Sequence, residues 1–122
     1  MKKTKLFIGL AISALSLPSH SLFAAVTIDS PRISGERVDR CMVEYGEDNC
    51  SKWGTEQAAN ALCRKIGHKN AARWWWFDGD SKKNVGTYRL THTKKNGQFT
   101  SYWDWCGKCD YYFTKIKCNQ HQ

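Results

Sequence analysis

The chain has 122 residues with 19 basic and 11 acidic side chains, six cysteines and six tryptophans. This length favours a single domain with a modest core and excludes a multidomain architecture. The formal net charge of +8 disfavours cationic partners and favours anionic ones, namely lipopolysaccharide, acidic glycans, phospholipid or nucleic acid, although a basic surface that only maintains solubility is the alternative.

Residues 1–24 have the pattern of a secretory signal peptide: a start with three lysines, an apolar run that ends before Pro18, and a short end at Ala24. The run is too short to cross a bilayer, so we expect cleavage after Ala24 and no stable transmembrane anchor. Residues 25–122 then form one secreted or periplasmic domain. Loss of the three lysines leaves 16 basic and 11 acidic side chains, a net charge of +5.

All six cysteines lie in residues 25–122, and an even number in a secreted chain predicts disulfides that stabilise a small domain. Each bond contributes about 2–4 kcal/mol by restricting the unfolded chain. Among the fifteen possible pairings we favour Cys63 with Cys118, and we expect Cys41 and Cys50 to close a polar loop. The cysteines are Cys41, Cys50, Cys63, Cys106, Cys109 and Cys118.

The first half of the chain predicts short strands followed by one helix. Residues 26–28 alternate like an edge strand, residues 37–43 suggest a second strand, and residues 44–54 read as a loop. Residues 55–66 then carry an apolar stripe at spacings of three and four. Thr55 is the expected N-cap and Gly67 the stop, with Glu56 in the first turn.

The run Arg73-Trp74-Trp75-Trp76-Phe77 predicts a strand over residues 71–77. Alternation places Trp74 and Trp76 on one face and Trp75 and Phe77 on the other. A small domain that packs on one side of its sheet can bury only one of these pairs completely, so we expect some tryptophan to remain partly exposed.

Residues 85–105 predict a hairpin around Asn96-Gly97, a sequence that favours a type I′ turn. This turn places Leu90 opposite Trp103 and Arg89 opposite Asp104. Leu90 then lies on the apolar face, whereas Arg89 and Thr91 lie on a polar face expected to be open to solvent. Residues 110–118 form a last strand with Tyr112, Thr114, Ile116 and Cys118 on one side. The predicted fold is a small disulfide-stapled α+β domain, with one helix packed on an antiparallel sheet.

Three segments resemble a group of small secreted cysteine-rich proteins of bacteria and plants. This chain differs in its longer interval between Cys41 and Cys63, its tryptophan run and its short spacing between Cys106 and Cys109. The resemblance implies one stapled domain and no particular activity. The segments are Pro31-Arg32-Ile33-Ser34-Gly35-Glu36-Arg37-Val38-Asp39-Arg40-Cys41, Ala58-Ala59-Asn60-Ala61-Leu62-Cys63-Arg64, and Cys109-Asp110 with Ile116-Lys117-Cys118.

Several motifs suggest chemistry, but each has a stronger structural reading. Cys106-Gly107-Lys108-Cys109 has redox spacing, but a strand-like segment follows where a thioredoxin motif has a helix. The same cysteines with Cys118 or His121 suggest zinc, which an oxidising compartment disfavours. Residues 78–81 resemble the start of a calcium loop, but its twelfth position is Arg89. His68 and His92 suggest a nuclease, without a supporting local motif. No cofactor or metal is predicted.

The remaining hypothesis is a binding surface formed by Arg73, Trp75, Lys82 and Lys83, in which an aromatic ring stacks and cations hold an anionic group. The alternative is that the tryptophans only fill the core. We predict a non-enzymatic module for glycans or anionic envelope surfaces, associated with virulence or toxins. A membrane-active antibacterial protein ranks second and a small hydrolase third. Nucleic acid is disfavoured as a partner.

Overall fold

The computed structural model describes residues 24–79 and 85–120. Most of the predicted signal peptide, together with Lys82 and Lys83, lies outside them. The described residues form an α+β domain, as predicted, with one helix and nine strands. The elements are β1 (Ala25–Asp29), β2 (Arg32–Ile33), β3 (Glu36–Arg37), β4 (Met42–Glu44), β5 (Glu47–Asn49), α1 (Lys52–Lys65), β6 (Asn70–Asp78), β7 (Thr87–Lys95), β8 (Gln98–Cys106) and β9 (Tyr111–Asn119).

The strands form two main sheets and a small β2-β3 ribbon. The first sheet has the order β1-β9-β6 and is antiparallel, so β9 is its central strand. The second has the order β5-β4-β7-β8, in which β4 and β7 run parallel. The predicted edge strand at residues 26–28 and the strands at 71–77 and 110–118 are confirmed as β1, β6 and β9. Within the described parts of the chain, no helix is long and apolar enough to cross a bilayer.

The predicted strand at residues 37–43 is wrong as a single element. Its ends belong to β3 and β4, and residues 38–40 between them join the two sheets. The Asp39 amide donates to the Tyr88 carbonyl at 2.9 Å, on the side of β7. On the side of β9, the Phe113 amide donates to the Val38 carbonyl at 2.9 Å. Residues 38–40, which we call the linking segment, are therefore hydrogen-bonded through their backbone to β7 on one side and to β9 on the other.

The predicted loop at residues 44–54 contains a hairpin and the first turn of the helix. Tyr45 and Gly46 have φ angles of 51° and 88°, and they connect β4 to β5. A disulfide joins Cys41 to Cys50 around this hairpin, as predicted. The segment was predicted to be a loop because it is polar and has few apolar residues. Its backbone nevertheless forms the antiparallel pair of β4 and β5.

Helix α1 begins earlier than predicted, and Thr55 is not its N-cap. Ser51 caps it instead, because its hydroxyl accepts from the Gly54 amide at 3.1 Å. Thr55 lies inside the helix and is buried, and its hydroxyl accepts from Arg40 Nη1 at 3.1 Å. Glu56 is therefore beyond the first turn. Gly54 lies within the helix at a position where a side chain would collide with Asn49.

The core lies between α1 and the inner face of the first sheet. Ala58, Ala59 and Leu62 of the helix are fully buried in one cluster with Phe113 and Ile116 of β9. The predicted disulfide between Cys63 and Cys118 crosses this cluster and fixes the helix to β9. The β6 backbone also holds the helix, because the Ala71 amide donates to Asn60 Oδ1 at 2.9 Å.

The β7-β8 hairpin has the predicted turn and register. Leu90 lies opposite Trp103 and Arg89 opposite Asp104, with Asn96 and Gly97 both at positive φ. The expected exposure of Thr91 is wrong: Thr91 and Leu90 are both 5% exposed. The reason is that β4 runs alongside β7 and pairs Val43 with Thr91. Arg89 forms its ion pair with Asp48 of β5, at 2.9 Å.

Candidate functional site

The pairing of β6 with β9 determines which way each ring of the aromatic run projects. Directly opposed residues share a face, and Trp74 lies opposite the fully buried Ile116. Trp75 lies opposite Lys115 and therefore projects from the outer side. The predicted alternation is confirmed beyond this point as well, since Trp76 lies opposite Phe113, which is buried, and Phe77 opposite Tyr112.

Burial of the rings agrees with the expectation that some tryptophan remains partly exposed. Trp74 and Trp75 are each half-buried, whereas Trp76 is 44% and Phe77 42% exposed. Trp74 packs against the core cluster. Trp76 lies under the Arg40 guanidinium, which is 5.0 Å from the ring centroid. Trp76, on the inner side, is thus contacted by the charged side chain of Arg40 and does not belong to the apolar core.

Two cations from different strands contact the Trp75 ring. The Arg73 guanidinium carbon is 4.7 Å and the Lys115 ammonium nitrogen 5.1 Å from its centroid. Arg73 also lies opposite Lys117, so the cations continue along the sheet. Phe77 and Tyr112 extend this surface with ring centroids 5.3 Å apart, and Arg37 lies 4.2 Å from the Tyr112 centroid. We define the basic aromatic face as Arg37, Arg73, Trp75, Phe77, Tyr112, Lys115 and Lys117.

Among residues 24–79 and 85–120, no carboxylate forms an ion pair with the cations of the basic aromatic face. The ion pairs in residues 24–79 and 85–120 are Arg40 with Asp78 and Arg89 with Asp48, and neither involves this face. Asp29 of β1 is opposite Lys115 in the register but makes no ion pair with it within 4.0 Å. The positive charge of this surface is therefore available to an outside group.

Sequence reasoning named two residues of this face and missed the others. The structure brings Arg73 and Trp75 together, whereas Lys82 and Lys83 fall outside the residues it describes. Lys115 was missed because it follows Arg73 by 42 positions and meets it only through strand pairing. The prediction that Tyr112 shares a side with Ile116 is wrong. A register shift at Thr114 places Tyr112 on the outer side and Phe113 on the inner side.

Asp39, in the linking segment, is a second group of interest because its carboxylate is almost completely buried. It is 1% exposed and accepts from the Cys41 amide and the Thr87 hydroxyl, each at 2.8 Å. Burial raises the pKa of Asp39 to about 6, against these hydrogen bonds and the charge of Arg89, which lower it. Sequence reasoning did not single out this residue, since Asp39 looked like part of a strand.

The cysteine and histidine motifs take structural positions. Cys106 and Cys109 are bonded to each other, and a strand follows them, in agreement with the context that disfavoured redox catalysis. His92 shares a hydrogen bond of 2.5 Å with Ser101 across the hairpin. Over the described ranges, no group of three or more His, Cys, Asp or Glu side chains is placed to hold a metal ion.

Comparisons with protein-family models, curated proteins and solved structures find no match to this chain. The resemblance to small secreted cysteine-rich proteins therefore stays a prediction.

Proposed function

We propose that this protein is a secreted or periplasmic binding module whose basic aromatic face holds acidic glycans of an envelope surface. The observation that carries the proposal is the position of Arg73 and Lys115 over the Trp75 ring, without an ion pair to either cation in the described chain. An aromatic ring offers a flat apolar surface to a sugar. The flanking cations attract its carboxylate, sulfate or phosphate groups.

The extracytoplasmic location is part of the proposal. Three disulfides support it, because such bonds persist in oxidising compartments and are rare in the cytosol. The predicted signal peptide agrees with it. An association with virulence or toxins stays a prediction, for which the geometry offers no separate support.

The charge contribution is tested on immobilised heparin, used as an acidic glycan probe. Replacing Lys115 and Lys117 by alanine together should make the protein elute at clearly lower salt, because two cations of the face are lost. The matched control replaces Lys94 and Lys95, which lie at the turn end of β7 and change the net charge equally. Equal shifts for the two variants would show that only net charge matters, and would contradict the proposed face.

The ring contribution is tested with Trp75→Ala and the control Phe99→Ala. Phe99 also has a cation over its ring, with Lys94 Nζ 5.1 Å from the centroid, but lies on the other sheet and is 66% exposed. We expect Trp75→Ala to weaken heparin retention and Phe99→Ala to leave it unchanged. Unchanged retention in a folded Trp75→Ala protein would remove the ring from the site.

A membrane-active protein is the competing reading, and anionic liposomes separate the two. The proposed module binds heparin and leaves liposomes intact. Dye leakage from the liposomes without heparin retention would replace the glycan proposal by the membrane-active one. Heparin cleavage or RNA cleavage that disappears in His68→Ala or His92→Ala would instead indicate a hydrolase.

A further inference from the structure

A cavity of about 460 Å³ lies where the linking segment, the β4-β5 hairpin and the start of β9 meet. This volume falls within the range of about 300–1,000 Å³ that is usual for ligand pockets. The disulfide between Cys41 and Cys50 borders it, as does Cys109 of a second disulfide. We call it the disulfide-rimmed pocket. Its charged lining residues are Asp39, Asp48, Arg89, Lys108 and Asp110.

Two buried polar atoms of this pocket have no hydrogen-bond partner in the described residues: the acceptor Asp110 Oδ2 and the donor Arg89 Nε. Asp110 is 6% exposed. A buried donor or acceptor without a hydrogen bond destabilises the folded protein, so a ligand that supplies the missing partner is favoured at both atoms. Gly79 keeps space open beside Asp110, because a side chain at position 79 would collide with that carboxylate.

Three carboxylates and two cations line the pocket, and the mixture of signs selects against a simple ion. Asp48 is paired with Arg89 at 2.9 Å, and both oxygens of Asp39 already accept hydrogen bonds. Of the remaining charged groups, Asp110 repels an anion and Lys108 repels a cation. A neutral group with hydroxyls satisfies both unpartnered atoms, because a hydroxyl donates as well as accepts.

We propose that the disulfide-rimmed pocket binds a neutral sugar residue, with one hydroxyl donating to Asp110 Oδ2 and another accepting from Arg89 Nε. Tyr111, 42% exposed, also lines the pocket and offers an aromatic surface to the ring of the sugar. Tyr111 and Tyr112 are consecutive in β9 and project to opposite sides. The pocket is thus separate from the basic aromatic face and has different chemistry, so this proposal does not depend on the proposed function.

The test is an NMR titration of the oxidised full chain, labelled with ¹⁵N, against glucose, galactose, mannose and N-acetylglucosamine and their dimers. We expect at least one sugar to cause saturable shifts of the Gly79, Arg89 and Asp110 amides and none at Arg73 or Trp75. Shifts confined to the basic aromatic face would overturn the pocket proposal while supporting glycan binding there. No saturable shifts with any of these sugars would also overturn it.

Substitutions then identify the contacts. Asp110→Asn should weaken the sugar by about tenfold or more, because a hydrogen bond to a charged group is lost. Lys117→Ala, on the basic aromatic face, should leave sugar affinity unchanged and lower heparin retention. Unchanged sugar affinity in a folded Asp110→Asn protein would contradict the assignment. If Asp110→Asn does not fold, the shift map of the unaltered protein still decides the question. Glycine and inorganic phosphate serve as charged probes of the same pocket. Saturable binding of either one, without binding of any sugar, would overturn the choice of a neutral ligand.

Discussion

Charged side chains occupy two regions of this molecule in opposite ways. On the basic aromatic face, Arg73, Lys115 and Lys117 project from a sheet surface and make no ion pair within the described chain. Around the disulfide-rimmed pocket, Asp39 and Asp110 are almost completely buried. Charged side chains without an ion pair in the described chain can bind a partner with little effect on folding. Most charged side chains near the pocket instead form hydrogen bonds or ion pairs that stabilise the folded protein. Each substitution below tests this division.

The largest effect is expected from Asp39→Ala. This change leaves the Cys41 amide and the Thr87 hydroxyl buried without an acceptor, so the free energy of unfolding should fall by about 3–5 kcal/mol. Urea denaturation measures it. The control is Asp29→Ala, on the first sheet, which should change stability by less than about 0.5 kcal/mol. Similar costs for the two aspartates would contradict the division.

The second effect is a pH dependence that comes from Asp39. Its folded pKa of about 6 exceeds the ordinary value of 3.8, so between these values the folded state holds a proton that the unfolded state has lost. Asp39 therefore contributes stability that is complete below about pH 3.8 and is lost as the pH rises through 6, by about 3 kcal/mol. Asp39→Asn removes this group. Between pH 3.8 and 6, the difference in free energy of unfolding between the unaltered protein and Asp39→Asn should change by about 3 kcal/mol. A difference that stays constant over this pH range would refute the raised pKa.

A smaller loss is expected from Arg40→Lys. Arg40 donates from Nε to Asp78 at 2.7 Å and from Nη1 to the Cys50 carbonyl at 2.8 Å, which ties β6 to the start of the helix. Lysine lacks the planar fork, so we expect about 1–2 kcal/mol lower stability in urea. Arg37→Lys, at the basic aromatic face, is the control and should cost less than about 0.5 kcal/mol. Equal losses of stability in the two variants would show that the hydrogen bonds of Arg40 to Asp78 and Cys50 contribute no more than the contacts of Arg37.

The smallest effect on folding is expected where the effect on binding is largest. Replacing Lys115 and Lys117 by alanine together should change the free energy of unfolding by less than about 0.5 kcal/mol, because neither lysine has an ion-pair partner in the described structure. Thermal and urea unfolding of the variant tested on heparin provide the measurement. A loss of several kcal/mol would show that these lysines belong to the fold after all.

Features encoded within short segments could be predicted from the sequence. The Asn96-Gly97 turn and the apolar alternation around it determine the hairpin register, and both depend on neighbouring residues. The start of α1 was predicted wrongly, because Thr55 and Ser51 are both suitable N-cap residues and the prediction chose Thr55. Gly54 fits the observed start, since Asn49 of β5 lies so close that a side chain at position 54 would collide with it.

The pocket could not be predicted because its residues come from five separate segments. Asp39, Asp48, Arg89 and Asp110 meet only after the linking segment has joined β7 to β9. Arg89 was predicted on the polar face of the hairpin, and its predicted position opposite Asp104 is confirmed. Its ion-pair partner, however, is Asp48 of β5, in a segment predicted to be a loop. The basic aromatic face was predicted in part. Arg73 and Trp75 could be grouped because they are close in sequence, whereas Lys115 is distant in sequence and was missed.

The position of β9 constrains how the chain can acquire its structure during synthesis. β9 follows every other strand along the chain, yet it is the middle strand of its sheet and pairs with the first strand, β1. It also carries Cys118, the partner of Cys63. Neither β1 nor β6 has its strand partner, and the helix lacks its disulfide to β9, until residues 111–119 have been made. The first sheet therefore cannot assemble step by step behind the ribosome. It must fold after that point by pairing distant segments, which is the slow class of folding reaction.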